Sequence, residues 1–270
     1  MLLELVMIVK NAGNDFAQIL SELQPFIDTW TILDTGSEDE TVDIINRVMV
    51  DKPGKLHVED FVDFSTSRNR ALDLSSKSCE YQLMMDDSYI FQDGEGFRKE
   101  LKNKLDVSAF NVYIKGSNQE YLSLRLIRTD SGFRYKGKIH EYIDVKDSFV
   151  GEMESFIVDR TSKYFEGRTK ARDNLSKQLM LNHINENPND RRMITHLVRH
   201  LMSKCTDKDL RGKLRAYIDL IVLEKNFDTY DLECRLVKIH CDCLDNEGLW
   251  TKGSYLDLCK IDMDHPGDPR

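Results

Sequence analysis

Apolar positions from the amino terminus to Met85 fall into short runs separated by helical stripes. Leu2 to Val9 is an apolar run interrupted only by Glu4, and it predicts a short buried strand. Asp15 to Phe26 carries Phe16, Ile19, Leu20, Leu23 and Phe26 at helical spacing. Trp30 to Leu33 predicts a second strand, and Thr41 to Met49 a helix with Ile44, Ile45 and Val48 on one face. Lys55 to Val58 predicts a third strand, Thr66 to Leu74 a helix, and Leu83 to Met85 a fourth strand. Strands alternating with helices of this length predict an α/β fold, its mostly parallel sheet covered on both faces. Ligands of such sheets bind beyond the carboxyl ends of the strands. Asp34-Thr35-Gly36-Ser37 and Asp86-Asp87-Ser88 therefore fall on one rim.

The pattern then changes twice. From Asp106 to Val158 it is β-rich, with Ala109 to Ile114 and Leu122 to Ile127 as antiparallel partners around a turn at Gly116-Ser117-Asn118. After about Glu166 only helical spacing remains. Leu175, Leu179 and Ile184 share a face, and Asn187-Pro188 breaks that helix. Ile194, Leu197, Val198 and Leu201 follow, then Leu210, Leu214, Ile218, Ile221 and Val222, then Leu232, Leu236 and Ile239. Leu175 and Leu210 lie 35 residues apart, near the ~34-residue period of tetratricopeptide-like helix pairs. The expected organisation is an α/β domain over 1–160 followed by an all-α region over 161–270.

Composition adds bounds. With 40% apolar and 31% charged residues the chain can build an ordinary globular core. A net charge of -9 argues against broad nucleic-acid binding. No apolar run approaches the ~20 residues that span a bilayer, and Met1 to Val9 lacks the basic start and cleavage site of a leader. The cysteines form no CxxC pair, so free cytoplasmic thiols are expected. Cys234, His240, Cys241 and Cys243 resemble a zinc cluster in composition, but read as a helix whose thiols pack as small hydrophobes.

Chemistry concentrates at strand ends. Asp86 and Asp87 close a buried strand, where adjacent carboxylates repel and lose hydration and so need a compensating charge. A divalent cation shared with a phosphorylated ligand is the simplest candidate. Between Lys115 and Lys138 six basic residues face two acidic ones, a local excess of +4 that would draw an anion or simply be a solvated hairpin.

Val6-Met7-Ile8-Val9-Lys10-Asn11 followed by Asp34-Thr35-Gly36-Ser37-Glu38-Asp39-Glu40-Thr41 resembles family-2 glycosyltransferases of the GT-A fold. Phe64-Ser65 with Arg68-Asn69 and Ala71-Leu72, Asp86-Asp87-Ser88, Arg125-Leu126-Ile127-Arg128 and Gly137-Lys138-Ile139-His140-Glu141 continue the family order, so the resemblance covers residues 5–141. The helical half is similar to the tetratricopeptide-like extension of one branch. The resemblance implies a Rossmann-like GT-A domain and metal-dependent, inverting transfer of a sugar, hexose-type, from a nucleotide donor such as a UDP-sugar to an acceptor hydroxyl. It implies donor contacts from Val9, Asn11, Asp34, Thr35, Gly36, Arg68, Asp86 and Asp87. Phosphate contacts come from Arg128 and Lys138, Mn²⁺ or Mg²⁺ ligands from Asp87, Asp86 and His140, and a general base from Glu141.

Several alternatives stay open on the residues themselves. Asp34 can accept from a nucleobase N–H or form the turn before Gly36-Ser37. Arg68 suits a phosphate or an ion pair. Asp130 and Asp144 compete with Glu141 as base, and Asp93 and Glu95 lie near the acidic triplet. Ser88 stands where the family carries an acid, which opens a second reading: a non-catalytic sugar-nucleotide or glycan-binding protein, or an adaptor, on a degenerate scaffold. Expected acceptors are a glycan, a protein or a lipid-linked sugar rather than nucleic acid, with homo-oligomerisation possible through the helical region.

Overall fold

A computed structural model describes residues 1–116, 120–146, 148–160 and 166–187, together with Asp190, Met193, His196, Leu197 and His200. The expected turn at Ser117-Asn118, most of the helical series after Asn187, and the Cys234–Cys243 cluster lie outside the described residues. The chain divides into two compact units, Met1–Arg172 and Asp173–Arg270.

The first unit begins with β1 (Leu3–Val9), α1 (Phe16–Leu23) with a 3-10 turn at Gln24–Phe26, β2 (Thr29–Asp34), α2 (Thr41–Val48) and β3 (Gly54–Val58). It continues through α3 (Phe64–Leu74), β4 (Tyr81–Met85), β5 (Tyr89–Phe91), α4 (Gly94–Lys102), β6 (Ala109–Lys115) and β7 (Glu120–Arg128). A ribbon of β8 (Arg134–Lys136) and β9 (Tyr142–Asp144) precedes β10 (Val150–Asp159). The main sheet has the order β3-β2-β1-β4-β7-β6-β10-β5. Its β3, β2, β1 and β4 are mutually parallel, β7 runs antiparallel to β4 and β6, β10 is parallel to β6, and β5 is antiparallel to β10. The expected mostly parallel sheet is therefore present, with an antiparallel part on one side.

β1 is apolar throughout because both its faces are covered. Leu3, Leu5, Met7 and Val9 pack with Phe16, Ile19 and Leu20 of α1, Ile44 and Ile45 of α2, and Phe97 and Leu101 of α4. Val6 faces the other way, with Ala71 and Leu72 of α3 and Tyr135 and Ile143 of the ribbon. Glu4, fully buried, is the exception, and accepts hydrogen bonds from the Thr31 hydroxyl at 2.8 Å and from the Ser76 amide and hydroxyl at 2.9 Å each.

One connection shapes the site. β4 pairs with β7 only at Tyr81↔Arg128, Gln82↔Ile127 and Leu83↔Leu126, while Met84 and Met85 pair with β1 alone. The strands part just before Asp86. The residues Asp86–Ser88 then lead to β5, on the far side of β7, β6 and β10. Four flat strand spacings would span about 19 Å, whereas the four steps from Met85 to Tyr89 reach at most about 14 Å. The sheet therefore curls, and the Asp86–Ser88 turn crosses the strand ends it would otherwise pass at a distance.

The second unit's described part includes most of α5 (Glu166–Glu186), which crosses the boundary between the units. Its burial falls on Leu179 and Met180, whereas Leu175, expected on the same face, is 39% exposed. The helix stops ahead of Asn187-Pro188 as its sequence predicts.

Candidate active site at the carboxyl rim

The first two strand-end motifs interlock. The Thr35 amide and hydroxyl both donate to the Val9 carbonyl, at 2.8 and 3.0 Å. Asn11 sits at φ 52°, its amide donating to the Ser37 hydroxyl at 2.8 Å and its side-chain oxygen accepting from the Glu38 amide at 2.7 Å. Asp34 is 1% exposed. Its carboxylate accepts the Gly36 and Ser37 amides at 3.0 and 2.9 Å, and also the Ser37 hydroxyl. Of the two roles open to Asp34, the turn-forming one is thus visible, and it fixes the loop of Thr35 and Gly36 on the rim. Gly36 requires its glycine, since it sits at φ 97°. Asp39 accepts the Thr41 amide at 3.0 Å and the Gly13 amide at 3.0 Å, closing the loop against the start of α2.

The third motif is a helix with a well-formed start. Asp63 caps α3, accepting the Thr66 amide at 2.8 Å and the Ser65 and Thr66 hydroxyls at 2.9 Å. Asn69 then clamps the Tyr135 backbone in both directions, at 2.9 and 2.8 Å. The Phe64 amide donates to the Lys138 carbonyl at 3.1 Å. The distant 137–141 loop is thereby fastened to α3. Gly137 at φ 90° and exposed His140 at φ 49° give that loop its tight path.

These attachments deliver a buried charged cluster. Arg68, with its side chain 4% exposed, donates through Nε to Glu141 Oε1 at 2.7 Å and through Nη2 to Asp86 Oδ1 at 2.7 Å. Arg125 reaches the other oxygen, Nη2 to Asp86 Oδ2 at 3.2 Å, and donates through Nε to the Ser123 hydroxyl at 3.0 Å. Its guanidinium lies over the Tyr89 ring, 5.3 Å from the centroid. The Tyr89 hydroxyl meets that of Tyr121 at 2.8 Å. Burial alone would lower both arginines, but the Asp86 carboxylate, with Glu141 beside Arg68, outweighs it and holds them firmly protonated. Burial pushes the Tyr135 hydroxyl up to about 12 and raises Tyr89 further. Among the described residues, Arg68 Nη1 and the Tyr135 hydroxyl are both buried without a hydrogen-bond partner, with the guanidinium 5.6 Å from the Tyr135 ring.

The structure thus brings Arg68, Asp86 and Glu141 together, with Asp87 next to them in the turn. It does not bring Arg128. That residue pairs with Tyr81 at the start of β4, donates to the Leu105 carbonyl at 2.7 Å and joins Asp130 at 3.1 Å, all at the opposite end of the strand. Asp130 is accordingly remote from the cluster as a base, and Asp144 is paired with Lys136 at 2.6 Å. Asp93 caps α4 by accepting the Gly96 amide at 2.9 Å. Glu141, with the Arg68 Nε on its carboxylate at 2.7 Å, is a well-placed anchor for Arg68.

Of the expected metal ligands, Asp86 is engaged by the protein itself. Both Asp86 oxygens are bonded to arginines, and the Ser88 hydroxyl donates to Asp159 at 2.7 Å. Among the described residues no three His, Cys, Asp or Glu side chains group so as to hold a metal ion. The side chains present do not fit a protein-held cation at Asp86. Arg125, Tyr135 and Asp159 were absent from the sequence-derived site. Arg125 stood in the same quoted motif as Arg128, and the antiparallel course of β7 is what separates them.

A cleft of about 590 Å³ lies elsewhere, lined by residues including Lys99, Glu100, Lys104 and Glu154. There Glu100 is engaged by Lys104 at 2.7 Å and by the Glu154 and Ser155 amides at 2.7 and 3.0 Å. Those bonds serve the β10 bulge, and the convergent chemistry is at the rim.

No protein-family model and no curated protein matches the sequence. Solved structures match its fold. Residues 1–349 of Staphylococcus aureus TarS in complex with UDP-GlcNAc superpose with a TM-score of 0.54 at 10% identity, covering 100% of this chain and 93% of that one. The same TarS fragment without that ligand gives 0.50 at 10% identity, with the same coverage. Against a longer TarS chain the match covers 92% of this chain but 54% of that one, so the present chain spans about half its length. At such identity the likeness establishes the fold, a Rossmann-like GT-A sheet with a small antiparallel part.

Proposed function

We propose that the protein is an inverting glycosyltransferase that moves a sugar, hexose-type, from a UDP-sugar to an acceptor hydroxyl. The observation that carries this reading is the buried Arg68–Asp86 pair, anchored by Glu141, at the carboxyl rim where β4 and β7 part. On this fold that is the crevice in which a ligand sits. TarS, which shares the fold, has been solved with UDP-GlcNAc. The Val9–Asn11 and Asp34–Ser37 loops, cross-bonded and carrying Gly36 at positive φ, offer backbone that a nucleotide can approach closely. Asp34 acts there by holding Thr35 and Gly36 in place. Asp86 aligns the Arg68 and Arg125 guanidinium groups at the rim, and Glu141 orients Arg68. Acceptors in keeping with this chemistry are a glycan, a protein or a lipid-linked sugar.

A second reading, a donor-binding protein without turnover, is favoured by Ser88, whose hydroxyl is bonded to Asp159 where the resembling family has an acid. The donor site itself is tested by thermal unfolding with a panel of nucleoside diphosphates. UDP should raise Tm in a concentration-dependent way and more than ADP, GDP or CDP. If no nucleotide in the panel moves Tm, the donor reading is wrong.

A further inference from the structure

The acidic turn demands compensating charge, and the fold supplies it from arginine. Asp86 accepts Arg68 on one oxygen at 2.7 Å and Arg125 on the other at 3.2 Å. A divalent cation bound there would displace or crowd two buried guanidinium groups, a like-charge arrangement made worse by burial. The third position of the triplet offers a hydroxyl already donated to Asp159 at 2.7 Å.

The two arginines are held in the same manner. Each uses Nε and Nη2 on the protein, Arg68 on Glu141 and Asp86, Arg125 on Ser123 and Asp86. Among the described residues Arg68 Nη1 has no hydrogen-bond partner, but it is buried away from solvent. Among the described residues Arg125 Nη1 has none either, and its side chain, 12% exposed, still reaches solvent. A guanidinium N–H pair fixed in place and unmatched by the protein is suited to an anionic oxygen. Lys10 lies at the neighbouring Asp34–Ser37 loop, its Nζ 3.8 Å from where a Cβ on Gly36 would project.

We propose that Arg125 supplies the N–H donors that receive the donor's diphosphate, with Arg68 holding Asp86 in place, so that UDP binds without a divalent cation. This rests on the donor reading above. It makes Arg125 a binding residue of the site and leaves Asp86 as the acid that aligns both guanidinium groups. The role expected of a cation bridging the diphosphate passes to N–H donors that the fold has already oriented.

Calorimetric titration of UDP into the full chain tests this, once in excess EDTA and once in excess Mn²⁺. The dissociation constants should agree within about threefold. Arg125→Gln should weaken UDP binding in EDTA by about tenfold or more, the loss expected for a charge-assisted contact. Arg125→Lys, which keeps the charge but not the fork, should fall between, and the Tm of each variant reports whether it folds. Binding only in Mn²⁺, or an unchanged constant in folded Arg125→Gln, overturns the arginine proposal while leaving the donor reading intact. No UDP binding in either buffer overturns both.

Discussion

Arg68 carries more of the site than any other residue. Its side chain is buried between Asp86 and Glu141, which come from elements 18 and 73 residues away along the chain. Replacing it by alanine takes the guanidinium from Glu141 and leaves Asp86 to Arg125 alone in a poorly solvated place, so Arg68→Ala should lower stability by about 3 kcal/mol. Urea unfolding measures that directly, and a loss below about 1 kcal/mol would mean that the pair is far better hydrated than its burial implies. The sequence made Arg68 visible through its motif, but not its partners. It also put Arg128 in the site where the structure brings Arg125. Both are arginines on one apolar strand, and only the direction of β7 relative to β4 sends the first toward the rim and the second away.

Elements were legible where their apolar pattern was long. β1, β2 and β4 are apolar runs buried on two faces, and α1 and α2 show one clean stripe each. Beyond β8, β9 and β10, which the sequence showed only as a β-rich stretch, two elements escaped. β5 is a strand of 3 residues directly after a turn, too short to show a period. α4 starts at Gly94-Glu95-Gly96, and its glycines hide a helix that begins only because Asp93 caps it. These glycines have a reason: a Cβ at Gly94 would lie 2.2 Å from the Phe26 ring. At Gly54 on β3 a Cβ would meet the Trp30 ring and carbonyl at 2.4 Å. Gly54→Ala should therefore cost about 1–3 kcal/mol by overpacking, read as a lowered urea midpoint at constant slope. Asn69→Ala should cost about 1–3 kcal/mol, because it leaves the Tyr135 amide and carbonyl unmatched. It should also loosen the ribbon, so that hydrogen exchange accelerates at Tyr135 and through β8 and β9 while β1 stays protected. Uniform exchange across both regions would contradict the clamp.

At the scale of the whole molecule, the curled sheet brings the ends of β4, β7 and β10 to one rim, which no local pattern could announce. No helix among the described residues is long and apolar enough to cross a membrane. Acid stability follows from carboxylates held by distant partners. Burial would raise Asp28, but Arg98 and the Leu2 and Leu3 amides outweigh it and hold its carboxyl below the usual range. Glu100 is lowered in the same sense, its burial outweighed by Lys104 and the Glu154 and Ser155 amides. With folded values depressed, the stability they confer is present above the unfolded values near 4 and is lost as pH falls below them. The urea midpoint should stay level from about pH 7 to 5 and drop below about pH 4, and Asp28→Asn should flatten that drop. An unchanged profile in Asp28→Asn would remove Asp28 from the account.

The central claim is that this rim transfers a sugar. Its most direct measurement is release of UDP from a panel of UDP-sugars, comparing the full chain with Asp86→Ala. The account predicts release from at least one donor, reduced about 100-fold or more when the acid that aligns both arginines is removed. UDP that binds while no donor in the panel turns over, or release that Asp86→Ala leaves unchanged, would contradict it.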